Sequence, residues 1–148
     1  MKLLGVDPGV HGGLAVVNII DGVAPELVGA IDIPTVGLKA KERVDVHALR
    51  TWVEAQRPDH AAIERAQAMP KQGASSGFKY GRAVGAIEAV IMCCAVPLTI
   101  IEPTAWKKNF MGFTAVRRSQ ADSVRCSSSL PRTRCLLAKW TMAAQKRR

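Results

Sequence analysis

Two short apolar runs that each end on a carboxylate constrain this chain most: KLLGVD over residues 2–7 and HAAIE over residues 60–64. Apolar runs of that length, bounded by turn-forming residues, read as buried strands, so Asp7 and Glu64 both stand at strand ends. After the first run the turn-forming PGVH breaks the chain and GGLAVVNI resumes the apolar pattern, which predicts a β-hairpin. A further strand is expected over ELVGAIDIP. In VDVHALRTWVEAQ the residues Val46, Leu49, Trp52 and Val53 recur at helical spacing, which predicts an amphipathic helix packed on the sheet.

Beyond Glu64, residues 70–77 (PKQGASSG) read as a polar, glycine-containing loop. FKYGRAVGAIEAVIMCCA has the length and spacing of a helix, with Gly81 and Gly85 on one face where small residues allow close backbone approach. PLTIIEP is a further strand, and TAWKKNFMGF opens a basic, aromatic segment read as a helix capped by Thr104. The order β-β-β-α-β-α-β describes an α/β protein with a sheet of mixed direction. A chain of 148 residues has room for one domain, and with 48% hydrophobic but only 5% aromatic residues its core should be aliphatic. There is no internal repeat.

The formal charge is +9, from 21 Lys and Arg against 12 Asp and Glu, and such an excess attracts polyanions, nucleic acid first. The same charge equally serves solubility. Its distribution is uneven: residues 115–148 hold Arg117, Arg118, Arg125, Arg132, Arg134, Lys139, Lys146, Arg147 and Arg148 against the single acid Asp122. Cys93, Cys94, Cys126 and Cys135 show no zinc-knuckle spacing and read as reduced thiols, the first two inside an apolar run where they are expected to serve as small buried hydrophobes. With no signal peptide and no apolar stretch long enough to span a bilayer, the expected location is the cytoplasm, away from membranes.

Phosphodiester hydrolysis with two metal ions needs carboxylates converging at strand or helix ends, because hard Mg²⁺ takes oxygen ligands and the two ions sit roughly 4 Å apart. Asp7 and Glu64 are placed to begin such a cluster. Taken alone, Asp7 serves equally well to cap the turn before Pro8-Gly9, and Glu64 to end a strand in solvent.

The segments GVDPGVHGGLAVV, AAIERAQAMPKQGASSGFKYGRAVGAIEAVI and PLTIIEPTAWKKNF resemble, in order and spacing, the RuvC-like crossover junction endonucleases, in particular a branch found in bacteria and phages. The resemblance covers roughly residues 1–114. It implies a ribonuclease H-like mixed sheet flanked by helices, with catalytic, metal-ligating acids at Asp7 in the Asp-Pro-Gly motif and at Glu64. It also implies Mg²⁺ as cofactor, which Mn²⁺ can replace, and a homodimer acting on branched DNA, the four-way Holliday junction. The loop and helix after Glu64 are then expected to approach the junction. Lys71, Lys79, Arg82, Lys107 and Lys108 are candidates for phosphate contacts, and Met69 or Phe78 for a wedge against a base at the branch point. Phe78 and Trp106 are by type more often core than base-stacking residues. The Asp-x-Gly-x-x-Gly pattern also opens sugar kinases and other actin-like ATPases, but that alternative predicts a second phosphate loop and a second, similar domain.

The chain departs from the resemblance after residue 114. RuvC-like enzymes complete the metal site with acids on a C-terminal helix, commonly in a segment of the type Asp-His-Gly-Arg-Ala-Glu-Ala in this branch. Here the only acid after Ala121 is Asp122. The codons offer a reason: Lys139-Trp140-Thr141-Met142-Ala143 must be written AAR-TGG-ACN-ATG-GCN. Read one nucleotide earlier, they give Met or Val, then Asp, then His, Asn, Asp or Tyr, then Gly. Continuing through Ala144, Gln145 and Lys146 permits Arg-Ala-Glu-Ala, and the codons of Ser127 to Arg132 permit Leu-Phe-Pro-Ala. The expectation is a nuclease domain over residues 1–114 and a basic tail over 115–148, produced by a single-nucleotide shift of frame between Thr114 and Ser127, with the C-terminal helix missing or altered. The alternative is a true basic extension that binds DNA. Losing the C-terminal acids should weaken metal binding, so a remnant that binds branched DNA without cutting it stands beside the endonuclease.

Overall fold

The computed structural model describes residues 1–38, 41–67 and 73–104. Strands β1 (Lys2–Asp7), β2 (Gly13–Asn18) and β3 (Glu26–Asp32) come first. A short ribbon of β4 (Thr35–Val36) and β5 (Arg43–Val44) leads into helix α1 (Val46–Gln56). Strand β6 (His60–Glu64), helix α2 (Ala74–Cys93) and strand β7 (Leu98–Ile101) follow. The strand and helix order matches the sequence reading except for the β4–β5 ribbon, because two-residue strands leave no periodic signal.

The main sheet has the order β3-β2-β1-β6-β7. β1 pairs antiparallel with β2, and β2 with β3, whereas β1 pairs parallel with β6, and β6 with β7. The hairpin turn makes the first pairing cheap; the parallel pairings need long crossovers, which α1 and α2 supply. Side-chain alternation places Leu4, Val6, Leu14, Val16, Ala61 and Ile63 in one cluster with Leu49 and Val53 of α1 and Ala83, Ile87 and Ile91 of α2. The other face of the same strands carries Ala15, Val17 and Ala62, also buried. Every buried hydrophobic residue among those described is Leu, Ile, Val or Ala, the aliphatic core that the composition predicts.

Four local expectations need correction. Val46, assigned to the apolar stripe of α1, is 49% exposed, because Asp45 caps the helix and Val46 occupies its first position, away from the sheet. The helix after Glu64 begins at Ala74, not Phe78; the Gly77 N–H donates to the Gly73 carbonyl at 3.0 Å, so the supposed loop already forms the first turn. Pro103 and Thr104 are already helical, so the cap precedes Pro103, whose fixed φ suits a first helical position. Gly81 and Gly85 meet no close neighbour: a Cβ added at either finds nothing within 4 Å, since the core stripe of α2 runs through Ala83, Val84, Ile87 and Ile91 instead.

Candidate active site

The turn between β1 and β2 positions Asp7. It needs glycine twice: Gly9 has φ +131°, where an L side chain is strained, and a Cβ at Gly12 would stand 2.0 Å from the Asp7 carbonyl oxygen. The Gly12 N–H donates to the Gly9 carbonyl at 3.1 Å, and the Gly12 carbonyl accepts from the Ile33 N–H at 3.0 Å. The turn that follows Asp7 is thus pinned both to itself and to the end of β3.

Asp7 and Glu64 come together through the sheet. The β1–β6 register pairs Val6 with Ile63, so the next residues along the two parallel strands are Asp7 and Glu64. Adjacent strands lie about 4.8 Å apart, and alternation puts both acids on the face opposite the α1–α2 layer. Both are half-buried. Carboxylates at that spacing fit a shared hard cation, since Mg²⁺ takes oxygen donors, one or two of them from carboxylates. Among the described residues no group of three or more His, Cys, Asp and Glu side chains could hold a metal ion.

A third carboxylate at the same sheet edge is engaged elsewhere. Glu102, just after β7, forms an ion pair with Arg65 and accepts a hydrogen bond from the Gln67 amide at 3.3 Å. The Arg65 N–H also donates to the Ile101 carbonyl at 2.8 Å, so Arg65 and Glu102 tie the ends of β6 and β7.

Tyr80 is the neighbour that sequence reasoning missed. It lies one turn before Ala83 and Val84 of the core stripe, and a Cβ at Gly9 would stand 3.4 Å from its ring. Burial pushes the Tyr80 phenol above its ordinary range, and the charges of Asp7 and Glu64 push it further. One ring therefore senses both carboxylates and packs on the turn that follows Asp7. As the only tyrosine in the chain it carried a compositional signal, but not a positional one.

The predicted DNA-contacting residues divide. Phe78 is 71% exposed, so its ring is not core, and Lys79 and Arg82 are exposed on α2 beside it. Lys79 and Arg82 line a groove of about 410 Å³ between α2, β5 and the start of α1. Met69, Lys71, Trp106, Lys107 and Lys108 lie outside the described residues, as do Cys126, Cys135 and the whole segment 115–148. Cys93 and Cys94 are free thiols, as expected, but neither is buried: Cys93 is exposed and Cys94 half-buried at the end of α2, and partial burial pushes the Cys94 thiol up. No helix among the described residues is long and apolar enough to cross a membrane.

The model of one family, described as crossover junction endodeoxyribonuclease RuvC, matches residues 3–126. No curated protein matches the chain. Among solved structures, the chain is similar to the T. thermophilus RuvC in complex with Holliday junction substrate, with TM-score 0.68 and 22% identity over 97% of this chain and 93% of that one. It is similar to a second Thermus thermophilus RuvC structure with TM-score 0.63 and 22% identity, over 98% and 96% of the two chains. The yeast mitochondrial Holliday junction resolvase follows with TM-score 0.52 and 10% identity, over 78% of this chain and 58% of that one. At these identities the structures establish a shared fold, the mixed sheet with flanking helices that the resemblance implies.

Proposed function

The chain belongs to the crossover junction endodeoxyribonuclease RuvC family, and from that premise we propose that its metal-dependent endonuclease site is built on Asp7 and Glu64. The activity class is that of the family: cleavage of Holliday junctions by phosphodiester hydrolysis. This removes the actin-like ATPase alternative. The observation that carries the site assignment is the parallel register, which sets the two strand-ending acids side by side on one face of the sheet.

We assign the metal as Mg²⁺, with Mn²⁺ able to replace it, because the available donors are hard carboxylate oxygens. When bound, such ions activate the attacking water and stabilise the leaving oxygen of an in-line displacement. The chain's own residues position and bind. Asp7 and Glu64 hold their carboxylates on neighbouring strands, the Gly9 and Gly12 turn fixes the backbone that follows Asp7, and Tyr80 packs on that turn. Lys79 and Arg82 attract the phosphate backbone, and exposed Phe78 is available to wedge against a base; Met69, Lys71, Lys107 and Lys108 extend the same role in sequence. The working unit is a homodimer in the cytoplasm, since two sites related by a two-fold axis suit the opposed strands of a symmetric four-way junction.

Residues 115–148 are, in this reading, a basic segment out of frame with the family's ending. The family match runs past residue 114 to residue 126, near the far end of the interval between Thr114 and Ser127 in which this reading puts the shift. A chain lacking the C-terminal acids binds metal weakly, and DNA binding outlasts cleavage.

The test is cleavage of a labelled synthetic four-way junction in Mg²⁺ by the 148-residue chain, by a version restored to the shifted frame, and by the restored version carrying Glu64→Ala. Symmetric nicks from the restored chain, absent with Glu64→Ala, support the site and the lost acids together. Equal nicking by the chain as written refutes the loss of acids. A folded restored chain that makes no nicks refutes the assignment.

A further inference from the structure

We propose that the groove between α2, β5 and the start of α1 holds a DNA strand by its phosphates, through Arg43 and His47 as well as Lys79 and Arg82. The inference rests on the junction-binding reading above and adds two residues, Arg43 and His47, that neither the sequence nor the family match singled out.

The groove encloses about 410 Å³ and takes Arg43 from the β4–β5 ribbon, the imidazole of His47 from the first turn of α1, and Lys79 with Arg82 from α2. Among the described residues no carboxylate is ion-paired to any of the four. The one acid in the lining, Asp45, is already used: its Oδ1 accepts from the His47 and Ala48 N–H groups at 3.1 Å each, capping α1. The helix end therefore holds much of that negative charge, and the groove presents net positive potential to whatever enters.

Its lining also says what kind of contact is made. Apart from His47 there is no aromatic ring, and the floor is small aliphatic residues, so there is no platform on which a base would stack. Arg and Lys side chains around an aliphatic floor suit the sugar-phosphate backbone, where a guanidinium binds phosphate oxygens through paired N–H donors. Val10 also lines the groove. It follows Gly9, whose position faces the Tyr80 ring, next to Lys79. The groove thus reaches the turn that follows Asp7.

The experiment measures the salt dependence of binding to a fluorescent four-way junction in the presence of a chelator, so that nothing is cut. It compares the 148-residue chain with Arg43→Gln, Arg82→Gln, and the control Arg50→Gln, an exposed arginine of α1 that is paired with Glu54 and is not part of the groove lining. Each lost phosphate contact lowers the log–log salt slope by about 0.9. Arg43→Gln and Arg82→Gln should each show that reduction, weakening binding by about 3-fold or more at low salt, while Arg50→Gln keeps the parent slope and all three keep the parent melting temperature. If Arg43→Gln melts early, Arg82→Gln, exposed on a helix, carries the test. A parent that binds junctions while Arg43→Gln and Arg82→Gln keep its slope overturns the groove and leaves the junction reading standing. An equal loss with Arg50→Gln reduces the effect to overall charge and overturns the groove as well. A parent that binds no junction overturns both.

Discussion

Replacing Gly12 with alanine should disable cleavage by displacing the backbone that carries Asp7. The new Cβ would lie 2.0 Å from the Asp7 carbonyl oxygen and 3.0 Å from its carbon, where real Cβ contacts essentially never fall below 3.0 Å. The turn must therefore open by about 1 Å. It cannot yield on the far side, because the Gly12 carbonyl holds the Ile33 N–H at 3.0 Å and its N–H is held by the Gly9 carbonyl at 3.1 Å. The displacement passes to the end of β1. A shift of that size in a catalytic group costs roughly 100-fold in rate, and overpacking of this kind costs about 1–3 kcal/mol of stability. The assay is single-turnover cleavage of a labelled junction in Mg²⁺ by the frame-restored chain, alongside a melting curve. Gly22→Ala serves as the matched control: at φ +78° it introduces backbone strain with nothing within 4 Å to strike. It should lower the melting temperature and leave the rate within about twofold. If Gly12→Ala cuts as fast as the parent, or if Gly22→Ala loses activity equally, the close approach at Asp7 does not govern the site.

Tyrosinate absorbance reads Tyr80 alone, since the chain has one tyrosine, and its titration should lie above that of a free phenol because burial and then the charges of Asp7 and Glu64 oppose ionisation. A group raised in the folded state contributes stability below its unfolded value of about 10 and loses it as pH rises through the folded value, so Tyr80→Phe should flatten the alkaline fall in melting temperature. Gly81→Ala should raise the melting temperature, by an amount equivalent to about 0.5–1 kcal/mol, because the position is helical and open; a fall would mean that something packs there. Ile87→Ala, in a fully buried position of α2, should destabilise by about 2–5 kcal/mol in chemical denaturation, and a loss under 1 kcal/mol would contradict the core assignment.

The strands were legible where they were long and apolar. KLLGVD, GLAVVN and HAAIE fold as read because burial on both faces leaves no polar alternation to confuse the pattern. The ends of α2 and the helical start at Pro103 were less legible, since Ala74, Ser75, Ser76 and Gly77 have loop-like composition yet form a helical first turn. There the backbone hydrogen bond from Gly77 to Gly73 decides, and composition carries no trace of it.

The candidate site follows the same division between what alternation encodes and what packing assembles. Asp7 and Glu64 could be read from the sequence because each ends a strand, and the parallel register then makes them neighbours without any further instruction. Tyr80 could not, because its closeness to both acids depends on where α2 begins and on how Gly9 lets the turn approach its ring. Arg43 was less legible still. It sits in a two-residue strand, and its meaning as a groove wall exists only once the β4–β5 ribbon lies beside α2. Acids placed by strand register can therefore stay side by side while the helix and ribbon around them vary, so under the proposed reading changes at Arg43 or His47 should alter how DNA is held before they alter whether it can be cut.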